Sequence, residues 1–582
     1  MNRLLITSRL LRLLCTAIAV AICLAAASRP AFAAATVIVV NVDGPGEGFN
    51  DPTAAAPVGG NTGTTRGAQR LIAFQHAADL WGATLDSPVT IIVQASFDPL
   101  GANVLGSAGT TNIFAFANAA DTVGLGPGFY PGVEFSNTWY GSALADKRVG
   151  VDVAQLFSLP AGTPDIRARF SSDFSFYLGL DNNHGAQNDL VTVVLHELGH
   201  GLNFQSFVDV STGANVNGLT DIYARHLFDN ATGKHWNEMT DAERMASATR
   251  FGSLVWDGAA VSADLPQVLV LGSPEVRVLA PAAIAGLKQF GLAAFGPRLG
   301  SPNVNGPIVA AVDASDAAGP ATTDGCTAFT NAAAIAGKIA LVERGTCGFA
   351  VKARNATIAG AIAVIIYNNA ANAAAPPPGM ADDGVNGAFV TIPAVSVTRA
   401  DGQAILGETP LVSAAVGVDP TVRAGADASG RARLYAPFPV SPGSSVSHYD
   451  TVAFKNLLME PAINPDLTHK LKAPDDLTLE LMRDIGWFPD ADLDGVADTA
   501  DCRVNSDFRP TIIIGGENTG VPNLLFSNGC TTSDLIANIY DSAKNHGQFV
   551  SGVAHLTNDL KAEGLITGAQ KGAIQSAAAH TK

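Results

Sequence analysis

The hexapeptide His196-Glu197-Leu198-Gly199-His200-Gly201 sets two histidines four residues apart, with a glutamate directly after the first. Immediately before it runs Leu190-Val191-Thr192-Val193-Val194-Leu195, an apolar stretch that reads as a buried helix. Residues four apart share one face of a helix, so His196 and His200 project side by side. That geometry suits two nitrogen ligands of one Zn²⁺. Glu197 sits one position round from the first ligand, where its carboxylate can take a proton from metal-bound water. Zinc lowers the pKa of such water from about 16 to about 7. The implied chemistry is hydrolysis, most often of a peptide bond. The competing reading is a chance pattern on a solvated helix, and the apolar run ahead of the motif argues against it.

A catalytic zinc needs a third protein ligand and an open position. Nearby candidates are Asp221, His226 and His235. A metzincin-type site would place its third His six residues after His200, where this chain has Ser206. The Gly expected three residues after the second His is Asn203, which can still enter the left-handed region and let the helix turn. Far downstream, Ser444-Ser445-Val446-Ser447-His448-Tyr449-Asp450 is followed by Leu457-Leu458-Met459-Glu460-Pro461. Here the chain resembles the leishmanolysin-like metzincins. In that family an insertion separates the helix motif from a third His in a Ser-Ser-x-Ser-His-Trp type segment, and a Met-turn of the form Leu-Met-x-Pro follows. The resemblance makes His448 the third ligand and Met459 the Met-turn methionine. It also makes Leu477 to Trp487 the family's closing helix, with apolar residues at helical spacing and Gly486 ending it. Tyr449 stands where the family has Trp. Asp221 remains the runner-up ligand, since its distance from His200 resembles that of gluzincins. Its other readings are an acceptor behind the ligands or a helix cap.

Between His200 and His448, residues Gly337 to Phe349 join a strand to a turn. A helix is expected over Val351 to Ala361, then buried strands at Ala363 to Asn369 and Ile392 to Val397. This resembles the protease-associated (PA) domain, placed at 285–420, whose role by resemblance is substrate presentation or active-site covering. No Gly-x-Gly-x-x-Gly or phosphate loop accompanies these elements, which discounts a nucleotide-binding unit. Ahead of the motif, Gly67 to Leu80 reads as an amphipathic helix ending before Gly82. Val89 to Ala95 reads as a strand, and Val37 to Val40 enters the same unit. Residues 100–185 and 205–285 carry few signals.

The chain opens with Arg3, Arg9 and Arg12, an apolar run from Leu13 to Ala27, and Ala31-Phe32-Ala33. That is the pattern of a secretory signal peptide cleaved after Ala33, which implies a secreted, extracellular protein without a membrane anchor. Losing these residues removes four arginines and no acids, taking the formal charge from −17 to −21. Such an acidic surface is a poor partner for nucleic acid and for anionic membrane. Cys15 and Cys23 leave with the signal. Cys326, Cys347, Cys502 and Cys530 remain, an even number that suggests two disulfides, most simply between the close pairs. About 550 mature residues suffice for three or four domains.

Residues 490–501 follow the calcium-loop pattern. Asp490, Asp492, Asp494, Asp498 and Asp501 occupy positions one, three, five, nine and twelve, Gly495 gives the sharp turn, and Val496 offers its carbonyl. Asp501 replaces the usual Glu, and the adjoining Cys502 makes the segment look like a thrombospondin type-3 repeat. The competing reading is an acidic solvated linker. The tail, 503–582, begins with a strand at Thr511 to Ile514 and ends in helices, with His546 and His555 in structural roles.

The expected architecture is therefore α/β (α+β) and multidomain. A signal peptide (1–33) precedes a metzincin-like zincin catalytic domain in two parts, 34–284 and 421–489, interrupted by an α/β PA domain. A calcium loop (490–502) and a mainly helical C-terminal module follow. The expected activity is that of a secreted, monomeric zinc endopeptidase acting on protein or peptide substrates, with Zn²⁺ at the site and Ca²⁺ in the loop. The rival is a non-catalytic, calcium-dependent adhesion protein on the same fold. Glu197 retained beside three histidines favours the enzyme.

Overall fold

The computed structural model describes residues 34–101, 103–116, 133, 135–300, 303–370, 375–488, 502–503, 506–507, 509–526 and 529–581. The expected signal peptide and calcium loop, with Asp490, Asp492, Asp494, Val496, Asp498 and Asp501, lie outside them. Among the described residues no helix is long and apolar enough to cross a membrane.

The first unit is built around a four-stranded sheet packed against two long helices. Its strands are β1 (Val37–Asn41), β2 (Ile91–Asp98), β3 (Gly106–Thr110) and β4 (Ile166–Ser171). They lie in the order β1-β2-β4-β3, with β3 antiparallel at the edge. Strand β2 alternates buried and half-buried residues along its length, the period-two signature of a sheet with one face on a core. That core is filled by α1 (Arg66–Thr84) and α2 (Leu190–Gly201). Helix α1 runs through Gly82 instead of stopping before it. A Cβ at 82 would stand 2.5 Å from the Ala35 carbonyl, so this glycine permits close approach to the entering chain.

Every residue of α2 is buried, including both histidines and Glu197. The helix starts at Asp189, whose carboxylate accepts the Thr192 N–H at 3.0 Å and the Thr192 hydroxyl at 2.7 Å. It ends where Asn203 adopts φ +85, the left-handed turn expected there. The Asn203 side-chain oxygen accepts the Gly141 N–H at 2.6 Å and fixes that turn.

The second unit is built on an eight-stranded sheet. It uses β5 (Leu271–Ala280), β6 (Gly286–Leu287), β7 (Phe290–Leu292), β8 (Val304–Ala310), β9 (Ile339–Glu343), β10 (Ala363–Tyr367), β11 (Ala394–Val397) and β12 (Ser413–Arg423). The order is β6-β5-β12-β8-β9-β10-β11-β7, with a parallel centre from β8 to β11. Strands β9 to β11 are almost wholly buried because α3 (Phe349–Ile358) and α4 (Arg399–Glu408) pack with them. The sheet reaches from Leu271 to Arg423, beyond both ends of the 285–420 placed from sequence. Cys326 and Cys347 form a disulfide here, with Cα atoms 5.6 Å apart.

The chain then returns to the first unit and adds α5 (Thr478–Asp484), shorter than the helix expected over Leu477 to Trp487. Gly486 ends it at φ +98. The tail holds a hairpin of β13 (Thr511–Ile514) and β14 (Glu517–Pro522) with helices α6 (Thr532–Ser542), α7 (His546–Ala562) and α8 (Gly568–His580) around a small apolar core. A disulfide joins Cys502 to Cys530 just before α6. His546 opens α7, and its ring lies 6.4 Å from that of Phe549.

Candidate metal centre

Two segments of the chain meet at the site. Helix α2 brings His196 and His200, and the segment before the 457–460 turn brings His448. Their Nε2 atoms stand 3.2 Å (His196–His200), 3.1 Å (His200–His448) and 3.3 Å (His196–His448) apart. All three are buried, and together they form the group of ligand-type side chains found among the described residues.

The ring orientations fix what these nitrogens can do. His196 Nδ1 lies 2.7 Å from the Leu458 carbonyl oxygen, His200 Nδ1 2.9 Å from that of Phe204, and His448 Nδ1 2.8 Å from that of Ser444. A carbonyl only accepts, so each Nδ1 carries the proton and each Nε2 presents a lone pair. Burial holds all three rings neutral: the His196 pKa falls to about 4, that of His200 to about 3, and that of His448 well below its usual value. Three facing lone pairs cannot hydrogen-bond to one another. Nitrogens about 2.0–2.1 Å from a tetrahedral zinc would lie about 3.3–3.4 Å apart, close to the separations found. The donor set therefore fits a zinc ion.

Glu197 is buried beside them and accepts from the Ala108 backbone on β3; burial pushes its pKa up to about 8. Met459 is fully buried below α2, and a Cβ on Gly199 would stand 2.8 Å from its sulfur. The helix is further tied by Trp81, whose indole N–H donates to the Leu195 carbonyl at 3.1 Å, and by Trp487, which donates to that of Leu202 at 2.9 Å.

The other sequence candidates lie elsewhere. Asp221 is buried but accepts from the Ser206 hydroxyl (2.9 Å), the Phe207 N–H (2.8 Å) and the Ala224 N–H (2.6 Å). It caps a short helical turn and holds the loop that leaves α2. His235 pairs with Asp257 at 2.9 Å, and the His226 ring stacks on Trp256 at 5.0 Å. Sequence reasoning missed the three carbonyl acceptors and His469, whose Nε2 meets the cap residue Asp189 at 2.6 Å. Only the cap itself had a sequence signal, an Asp three residues ahead of Thr192.

Residues 304–405 match the family model of the PA domain, so the chain contains a PA domain within its second unit. Among curated proteins, the chain is 45% identical over 85 residues to ER degradation-enhancing alpha-mannosidase-like protein 3 of Xenopus laevis, covering 14% of this chain and 9% of that protein. It is 53% identical over 60 residues to an aminopeptidase of Pseudomonas aeruginosa, covering 10% of this chain and 11% of that one. The chain thus spans about a tenth of these relatives' length. Among solved structures, a zinc aminopeptidase from Bacillus subtilis is similar at 24% identity and TM-score 0.19, covering 28% of this chain and 35% of its own. The whole is a mixed α/β multidomain protein with a PA domain and a three-histidine centre.

Proposed function

We propose that the protein is a zinc-dependent endopeptidase of metzincin type, exported through residues 1–33, with its PA domain inserted between the second and third zinc ligands. The observation that carries this reading is the set of three neutral imidazoles whose lone pairs converge within 3.1–3.3 Å beside a buried glutamate. His196, His200 and His448 would hold the ion. Zinc supplies Lewis acidity toward a carbonyl oxygen and acidifies water. Glu197 takes the proton of the attacking water and passes it to the leaving amine. Its burial excludes bulk water from that transfer, and the Ala108 N–H orients the carboxylate. Peptide and protein substrates follow from this chemistry, and the relatives named as aminopeptidases are peptidases too.

The test is zinc content and cleavage of an internally quenched peptide with both ends blocked. One zinc per chain and cleavage abolished by a chelator are expected. Glu197→Ala should keep the metal and lose roughly 10²–10⁴-fold in rate. Near-wild-type cleavage by this variant would sink the mechanism, and cleavage confined to peptides with a free N-terminus would make the protein an aminopeptidase.

The calcium site at 490–501 rests on its spacing of acids. Binding to the folded form alone would raise stability by about 2.7 kcal/mol at a hundredfold excess over Kd. A melting temperature indifferent to calcium would reject it.

A further inference from the structure

Two buried carboxylates close over the turn that carries Leu458. The Leu457 N–H donates to Glu460 Oε1 at 2.7 Å, and the Leu458 N–H donates to Asp476 Oδ2 at 2.6 Å. Asp476 lies 3% exposed and reaches the turn from eighteen residues further on. Its other oxygen accepts the Thr478 N–H at 2.7 Å and the Thr478 hydroxyl. Leu458 is therefore held at both ends, its nitrogen by Asp476 and its carbonyl by His196 Nδ1 at 2.7 Å. The same short segment also reaches the third histidine. The Tyr449 N–H, next to His448, donates to the Met459 carbonyl at 2.8 Å, and the Tyr449 hydroxyl donates to the Leu477 carbonyl at 3.1 Å.

A carboxylate is an expensive group to bury, and a neutral Ser or Asn would satisfy the Thr478 N–H as a local cap. What an aspartate adds is a second oxygen in fixed geometry, able to accept a second hydrogen bond. That second oxygen is the one on Leu458. We propose that Asp476 is a positioning residue of the metal centre. It fixes Leu458 so that the Leu458 carbonyl holds the His196 ring with its Nε2 lone pair toward His200 and His448. This rests on the reading of the three histidines as zinc ligands. Asp476 touches neither the metal position nor the substrate, so its effect travels through the backbone of one residue. Groups that orient a metal-bound histidine in this way typically contribute 10–100-fold in metal affinity.

The test uses the full chain. Zinc affinity is measured by competition with a chromophoric chelator, ligand geometry by the visible spectrum of the Co²⁺ form, and stability by melting of the metal-free protein. Asp476→Ala should weaken zinc by about 10–100-fold and alter the Co²⁺ spectrum. Glu480→Gln is the control: Glu480 is an equally buried acid on α5 whose side chain meets the Ala473 N–H at 3.4 Å and not the turn. It should shift melting while leaving zinc affinity and the Co²⁺ spectrum as in wild type. Asp476→Asn keeps one oxygen for Leu458, should fall between wild type and Asp476→Ala, and decides by the same criteria if the alanine variant does not fold. Wild-type zinc affinity and spectrum in the Asp476 variants, with only melting lowered as in Glu480→Gln, would overturn the proposal. Failure of wild type itself to bind zinc would instead overturn the reading of the site.

Discussion

Gly106 lies so close to Glu197 that a Cβ placed on it would stand 2.7 Å from Glu197 Cγ and 2.8 Å from Oε1. The glycine is on edge strand β3, whose Ala108 N–H meets the same carboxylate. Its lack of a side chain lets the strand lie flat against the proposed base. Gly106→Ala must therefore push the strand or the carboxylate away. A misplacement of about 1 Å can cost about 10²-fold in rate, so kcat should fall by about 10–100-fold. Zinc content should stay at the wild-type level, because the atoms nearest a Cβ at 106 all belong to Glu197 and not to a histidine. Unchanged kcat would mean that Glu197 is not held where the reaction needs it.

Asp221 and His448 are rival third ligands in the sequence, and their surroundings separate them. All three of Asp221's contacts are protein hydrogen-bond donors, and one of them, the Ser206 hydroxyl, belongs to a residue whose N–H donates to Ser447 at 3.2 Å. His448→Ala should lose zinc and activity together. Asp221→Asn keeps an acceptor for part of this set, so it should lose stability while retaining most of its zinc. Metal analysis and melting of the two variants check this, and the opposite order of zinc loss would reinstate Asp221 as the ligand.

Asp146 and Asp165 form a second buried acidic feature. Burial, reinforced by the charge of Asp165, pushes Asp146 up to about 8; burial pushes Asp165 up to about 6. Both folded values lie above the ordinary 3.8, so the folded state binds protons that the unfolded chain releases. The stabilising contribution is full below about pH 4 and is lost as pH rises toward 8. Asp146→Asn mimics the protonated partner and keeps an oxygen for the Val153 N–H that Asp146 now accepts at 2.8 Å. Relative to wild type, the variant should gain on the order of a few kcal/mol between about pH 5 and pH 8.5. Denaturant midpoints at the two pH values measure the gain, and parallel curves would show that the two acids do not share a proton.

The parts of the site that follow local rules were legible in the sequence. Helix α2 announces itself through its apolar run, and the four-residue spacing puts two ligands on one face. His448 follows no local rule, because the inserted domain separates it from His200 by 248 residues; only a family resemblance reached it. The carbonyls of Leu458, Phe204 and Ser444 have no side-chain signature, since any residue offers one. Val446, two residues before His448, is buried with φ +75, a region that β-branched residues rarely enter. No pattern rule foresees it. Its neighbours impose it: the Val446 N–H donates to the Tyr435 carbonyl at 2.7 Å, and the Val446 carbonyl accepts the Tyr223 hydroxyl at 3.1 Å. Gly82 misled in the other direction, because a glycine inside a helix reads as a stop when it marks close packing.

The two ends of the inserted unit are hydrogen-bonded neighbours. Leu271 and Arg423 pair across β5 and β12, and the Ala424 N–H donates to the Val270 carbonyl at 2.9 Å. Val270 in turn donates to the Phe454 carbonyl at 2.8 Å, so the stem is anchored in the first unit. Residues 272–422 can therefore be replaced by a short Gly/Ser linker without stretching the chain. His448 draws its direct supports from Ser444 and Tyr435, both outside the excised unit. Excision does break the hydrogen bond from the Phe438 N–H to the Gln289 side chain, 2.9 Å long and three residues from Tyr435. It also strips the ring of Phe251 of its neighbour Phe290, 6.3 Å away, and removes one wall of the cleft of about 810 Å³ between the two units. The shortened protein should be less stable yet bind zinc and cleave short peptides within about tenfold of wild type, because the histidines, Glu197 and β3 are untouched. Cleavage of large folded proteins should change more, since only a bulky substrate extends far enough to meet a domain outside the centre. Both substrates are compared on the variant once its zinc content and melting transition establish that it folds. A folded, zinc-loaded variant inactive on short peptides would make the inserted domain part of the active site itself.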